Sequence, residues 1–103
     1  MPESLPGFEW DDDKNRQNIQ KHGIDFEDAC DVFAGLYLSF YDSRREYGED
    51  RWLAIGLMKD LTVVVVFVEE SERVRRIISA RKAQSSEKKR YEDFVKEIST
   101  HWD

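Results

Sequence analysis

An α+β fold, built on a small and mainly antiparallel sheet of about four strands, is the architecture this sequence predicts. Three observations predict it. Two helical patterns occupy residues 12–33, alternating and apolar runs follow one another at hairpin spacing from residue 51 to residue 81, and one amphipathic stripe closes the chain. Strands joined directly to strands imply an antiparallel meander, with two helices before the sheet and one after it.

The elements follow in order. Residues 1–7 hold two prolines and a glycine and read as a loose lead-in. Phe8 to Trp10 alternates and predicts a short edge strand. Asp11, Asp12 and Asp13 suit a helix start, since carboxylates cap free N–H groups and favour the positive end of the dipole. A helix is expected from about Asp12 to His22, with Gly23 as its left-handed cap. Lys14, Asn18, Lys21 and His22 share one face of it, which fits a groove-lining surface and a solvated helix equally well.

Asp25 caps a second helix, about Phe26 to Phe33. Phe26, Ala29, Cys30 and Phe33 form its apolar stripe. Cys30 reads as a small core residue, because no base is placed by sequence to activate its thiol. Leu36 to Tyr41 predicts a strand, residues 42–50 a charged turn, and Arg51 to Met58 a second strand. Leu61 to Val68 is valine-rich and expected to be central, buried on both faces. Residues 69–72 turn the chain into a basic strand from Val74 to Arg81. Ser85 or Ser86 caps a last helix, about Glu87 to Ser99, with Tyr91, Phe94, Val95, Ile98 and Trp102 on its apolar face.

Length and composition predict one domain over residues 1–103, with 40% apolar and 37% charged residues. No run of eighteen apolar residues exists, so no membrane span is expected. The N-terminus lacks the pattern of a secretory signal, and the one cysteine cannot form an internal disulfide; both point to the cytoplasm.

Charge is uneven. The chain carries a net charge of −6, yet residues 73–90 hold eight basic residues and a single acid, Glu87. Such a concentrated positive field calls for a phosphate-bearing partner, and RNA is the expected one. Period two places Arg75, Ile77, Ser79 and Arg81 on one strand face and Arg76, Ile78 and Ala80 on the other. Either a bulge therefore lies between Arg76 and Arg81, or one of them serves the fold or the partner rather than the RNA.

The usual site templates are missing. There is no glycine loop for phosphate and no nucleophile elbow. His22 and His101 lie too far apart in sequence to argue for a metal, and no cofactor is expected. What remains is an inventory of Lys, Arg, His, Glu and Tyr. Metal-independent RNA cleavage by the ribose 2′-hydroxyl needs such groups: a base, an acid, and cations for the charge that builds on phosphorus.

The residues also resemble a known family. Phe8, Glu9, Trp10, Asp11 and Lys14, then Asn18, then Lys21, His22, Gly23, Ile24 and Phe26, resemble the opening signature of BrnT-type toxins. Gly48, Glu49, Asp50 and Arg51 before Ile55 and Gly56 fit its middle. Arg76 through Ala83, with Glu87 and Tyr91, fit its end. The resemblance implies a RelE-like fold and an endoribonuclease toxin of a type II toxin–antitoxin pair, inhibiting translation until neutralised. It implies a BrnA-like antitoxin as partner, with operator DNA bound only through that antitoxin. Carried over by position, it implies His22, Glu49, Arg51, Arg76 and Arg81 as catalytic residues, with Lys14 and Lys21 binding RNA; Lys82, in the basic cluster at the end of the strand, is expected to bind RNA as well. Within that set His22 or Glu49 would be base or acid, and the arginines would hold phosphate. Glu87 and Tyr91 match family positions and also suit docking of the last helix. A sequence pI near 4.9 is low for an RNA-binding protein. It keeps a second reading open: a non-enzymatic interaction module using the basic strand and C-terminal helix against an acidic protein segment.

Overall fold

The computed structural model describes residues 3–5, 7–44 and 46–100. Among these residues six strands form one sheet: β1 (Glu3–Leu5), β2 (Phe8–Trp10), β3 (Tyr37–Tyr41), β4 (Trp52–Met58), β5 (Leu61–Ser71) and β6 (Val74–Lys82). The helices are α1 (Asp12–His22), α2 (Phe26–Ala29, continued by a 3-10 turn over Cys30–Ala34) and α3 (Ser85–Thr100). Strand order is β1-β2-β6-β5-β4-β3. All neighbours are antiparallel except β2 and β6, which run parallel with Phe8 opposite Arg75 and Glu9 opposite Arg76.

The α+β expectation holds, and the meander of β3 to β6 is present. The count of about four strands is corrected to six, because the N-terminal segment joins the sheet. Glu3–Leu5 pairs with Phe8–Trp10 across the turn at Gly7, so part of the expected lead-in is strand. Phe8–Trp10 consequently lies inside the sheet rather than at its edge. Among the described residues no helix is long and apolar enough to cross a membrane. Trp102 falls outside the described residues.

Asp11 accepts a bond from the Lys14 N–H and caps α1, while Gly23 adopts φ 72° and closes it. The expected second helix is cut short. Asp25 caps it, but after Ala29 the chain tightens into a 3-10 turn that delivers Val32 to β4. Val32 fits because Gly56 has no side chain; a β-carbon there would sit 2.9 Å from Val32 Cγ1 and 3.2 Å from Tyr37 Cβ. Gly56→Ala is therefore expected to destabilise the fold by about 1–3 kcal/mol through overpacking, read as a lowered thermal midpoint.

Two cores lie on the two sheet faces. On the helix α1/α2 side, Trp10, Phe26, Val32, Val63, Val65, Phe67 and Ile77 pack together. On the α3 side, Leu53, Ile55, Val64 and Val66 meet Tyr91, whose hydroxyl donates to the Leu36 carbonyl at 3.0 Å. Residues 63–66 alternate between the two cores, as a central strand must. The strand runs three residues beyond Val68 to Ser71, so the turn into β6 is tighter than the expected 69–72.

Among the described residues the β2 side of β6 beyond Arg76 has no strand neighbour. Asn18 of α1 takes that place. Its side chain donates to the Ala80 carbonyl at 2.9 Å and accepts from the Ala80 N–H at 3.1 Å, as a paired strand would. A third bond runs to the Ile24 carbonyl at 2.8 Å. Asn18 belongs to the scaffold, and this settles the ambiguous polar face of α1 at that one position.

Candidate functional site

The two-face problem of the basic strand is resolved by a bulge. Val66 pairs with Ser79 but Phe67 pairs with Ile77, so Ile78 is an extra residue in β6. Its insertion flips the alternation. Arg76 and Arg81 both come to the α3 face, and Arg75 goes to the other. There its guanidinium lies 4.7 Å over the Phe33 ring and donates to the Tyr37 hydroxyl at 3.2 Å. Arg75 thus serves the α1/α2 side of the sheet, as cation–π packing allows.

On the α3 face one end of the sheet carries a polar cluster. Arg51 precedes β4 and donates from Nε to Glu49 Oε2 at 3.1 Å. Arg76 donates from Nη2 to Glu49 Oε1 at 2.6 Å and from Nε to Glu70. Glu70 reaches Arg76 because β5 bulges between Glu69 and Ser71. The side chains are 20–30% exposed for Arg51, Glu49 and Arg76, accessible to a ligand yet restrained. Arg76 foremost, then Arg51, holds the Glu49 carboxyl below its ordinary range. Glu70 and Glu49 hold the Arg76 cation above its own. The cluster sets two guanidiniums against two carboxylates.

The loop that presents Glu49 is built from within. Asp42 is buried, accepts from Arg44 Nε and Nη2 at 2.8 Å each, and accepts from the Tyr47 hydroxyl at 3.1 Å. Tyr47 in turn stacks beneath Arg51, 4.1 Å from the guanidinium carbon to the ring centre. Gly48 has φ 75°, a left-handed conformation that a side chain resists, and it turns the chain so that Glu49 meets the arginines. Hydrogen bonds from Arg44 depress the Asp42 carboxyl to about 2, against an ordinary 3.8. A depressed carboxyl adds stability that is complete above its unfolded value and lost as pH falls through its folded value. Stability linked to this loop is thus expected to decline between about pH 4 and pH 2 by up to about 2 kcal/mol. Asp42→Asn should flatten that part of a denaturation–pH profile.

The other predicted residues stand outside this hydrogen-bonded cluster. Arg81 donates from Nη1 and Nη2 to the two oxygens of Glu87, both at 2.8 Å, and this pairing raises Arg81 and lowers Glu87. Arg76 sits opposite Val68 and Arg81 opposite Val64. Four residues of strand separate them, or roughly 13 Å. Glu87 also accepts from the Gln84 N–H at 2.8 Å, half of a capping box at the start of α3. Lys14, Lys21 and His22 are on α1, the lysines exposed and His22 half-buried. Lys14, Arg16 and Arg76 line one cleft of about 530 Å³ with Glu9, Asp11, Asp12 and Asp13, a wall of mixed charge. Lys82 is exposed at the end of β6, opposite Val63. Cys30 is buried and its thiol is pushed up to about 12 by burial, in keeping with a core role.

Sequence reasoning missed Glu70, Tyr47 and Asp42. Glu70 stood in an acidic stretch read as a turn, and only the bulge aims it. Asp42, Arg44 and Tyr47 lay in a charged turn that carried no motif.

The fold is an α+β sheet that carries a guanidinium–carboxylate cluster at one end of its α3 face. The chain belongs to the BrnT family, described as the ribonuclease toxin of type II toxin–antitoxin systems, whose model matches residues 10–87. Among solved structures, it is similar to the Brucella abortus ribonuclease toxin BrnT at 29% identity, with a TM-score of 0.59, covering 74% of this chain and 94% of that one. No curated protein matches the chain.

Proposed function

We propose that this protein is an endoribonuclease toxin that cleaves RNA without a metal, by attack of the ribose 2′-hydroxyl on the adjoining phosphate. The observation that carries this reading is Glu49 bridging Arg51 and Arg76 on the open face of the sheet. Glu49, ionised at neutral pH, takes the 2′-hydroxyl proton as the 2′-oxygen bonds to phosphorus; the P–O5′ bond then breaks and water protonates the departing 5′-oxygen. Arg51 and Arg76 offer their remaining N–H groups to the phosphate oxygens and stabilise the dianionic phosphorane. Tyr47 and Glu70 orient those guanidiniums. The depressed carboxyl of Glu49 gives away basicity but keeps the guanidiniums aligned before substrate arrives.

The reading includes the RelE-like kinship, action in the cytoplasm, arrest of translation, and neutralisation by a BrnA-like antitoxin that alone contacts operator DNA. His22, on α1 and outside the cluster, is given no chemical step here. Incubating the purified protein with free and ribosome-bound RNA in excess EDTA tests the reading. Cleavage yielding 2′,3′-cyclic phosphate ends is expected. Intact RNA in both settings from correctly folded protein would show an interaction module instead.

A further inference from the structure

The candidate reaction cluster is poor at attracting RNA. Arg51 and Arg76 are matched there by Glu49 and Glu70, and Glu9 stands in register with Arg76. Two cations thus face three carboxylates.

The balance reverses at the base of α3. Arg81 is clamped by Glu87. One turn on, Arg90 lies over the Phe40 ring with its guanidinium carbon 4.6 Å from the centre, and its side of the helix is shared with Glu87. Lys88, exposed beside Glu87, adds another cation, so Arg81, Arg90 and Lys88 stand against the one carboxylate of Glu87. Glu92, Asp93 and Glu97 outnumber Lys96 on the rest of α3, so its positive charge is densest in the first two turns. The Debye length at physiological salt is about 8 Å, shorter than the roughly 13 Å that separates Arg81 from Arg76 along the strand. The local charge at each end consequently governs, rather than the net −6 of the chain.

We propose that Arg81 and Arg90 form a separate grip for the RNA backbone, so that affinity is supplied at the base of α3 and chemistry at Glu49, Arg51 and Arg76. This rests on the ribonuclease reading and adds a substrate subsite to it. Both places lie on the α3 face, so one strand of RNA lying along that face meets both. Binding energy gained at remote nucleotides can then be used to seat the scissile phosphate in a cluster that does not attract it.

The test is binding of a fluorescent, uncleavable 2′-O-methyl oligoribonucleotide of about twelve nucleotides, a length within the usual range of single-strand sites. Anisotropy is titrated at several salt concentrations. Glu87→Gln, which keeps a hydrogen-bonding group toward Arg81 but removes its counter-charge, is expected to tighten binding about threefold to tenfold, a gain that misfolding cannot mimic. Arg90→Gln is expected to weaken binding by a similar factor and to reduce the salt slope by about 0.7, one phosphate contact. Arg90→Lys should hold the charge and most of the affinity. The grip is overturned if Glu87→Gln and Arg90→Gln both bind as the parent does, or if the folded parent does not bind the oligonucleotide. It is equally overturned if Arg90→Gln loses an acidic protein partner while RNA binding stays intact. Cleavage by the parent is scored separately: a parent that binds with the expected variant shifts but leaves RNA whole supports the grip and defeats the ribonuclease reading.

Discussion

Arg76→Ala is expected to lower RNA cleavage about a hundredfold to a thousandfold, the range seen when one preorganised donor to a developing oxyanion is removed. Two losses combine. The phosphorane loses a guanidinium, and Glu49 and Glu70 lose the cation they share. The two carboxylates then repel the substrate and each other. Arg76→Lys should recover only part of the loss, since an ammonium cannot hold two carboxylates in a planar fork. Glu49→Gln, which removes the base while keeping a hydrogen-bonding group for Arg51, is expected to cost about 10²–10⁴ in the cleavage rate. His22→Ala supplies the contrast within the same assay. Placed on α1, away from the cluster, it should stay within about tenfold of the parent, well below the range for a removed acid or base. A loss at His22 matching that at Glu49 would reassign the acid–base role to α1.

Asn18→Leu should lower the free energy of unfolding by about 3–5 kcal/mol, a large part of the 5–15 kcal/mol that a domain of this kind holds. The side chain is 6% exposed and makes three hydrogen bonds, two of them to the backbone of Ala80. Leucine keeps similar volume but leaves the Ala80 N–H and C=O and the Ile24 C=O buried without partners. Each such group costs about 1–3 kcal/mol, and shared relaxation makes the sum less than additive. A urea midpoint shift at constant slope measures the loss. An unchanged midpoint would mean that water satisfies the β6 edge and that Asn18 is not its substitute strand.

Local pattern made most of the frame legible. Asp11 and Gly23 bracket α1, the stripe of Tyr91, Phe94 and Val95 marks α3, and the valines of β5 announce a central strand. Each of these signals is carried by near neighbours in sequence, through capping, helical spacing or alternation. The N-terminal strand was not legible: three residues, Glu3 to Leu5, are too few to show a period and gain structure only by pairing with β2. The 3-10 turn after Ala29 was equally hidden, since the demand for it comes from Gly56, more than twenty residues away.

The candidate site divides in the same way. Sequence alone determined the α+β class, the polar inventory, and the choice of Arg76 with Arg81, the last by resemblance and against strict alternation. Tertiary structure alone decided which of those groups meet. An extra residue, Ile78, turns Arg76 and Arg81 to one face, and a second irregularity aims Glu70 at Arg76. The buried Asp42 carries the loop that brings Glu49 and Arg51 to the same place, while Arg81 is held by Glu87 and the α1 residues stay with the β6 edge. The physical reason is that residue spacing specifies a face only while the strand keeps its period. A bulge is selected by the partner strand and the packing on both sides, and that information is spread over the whole fold.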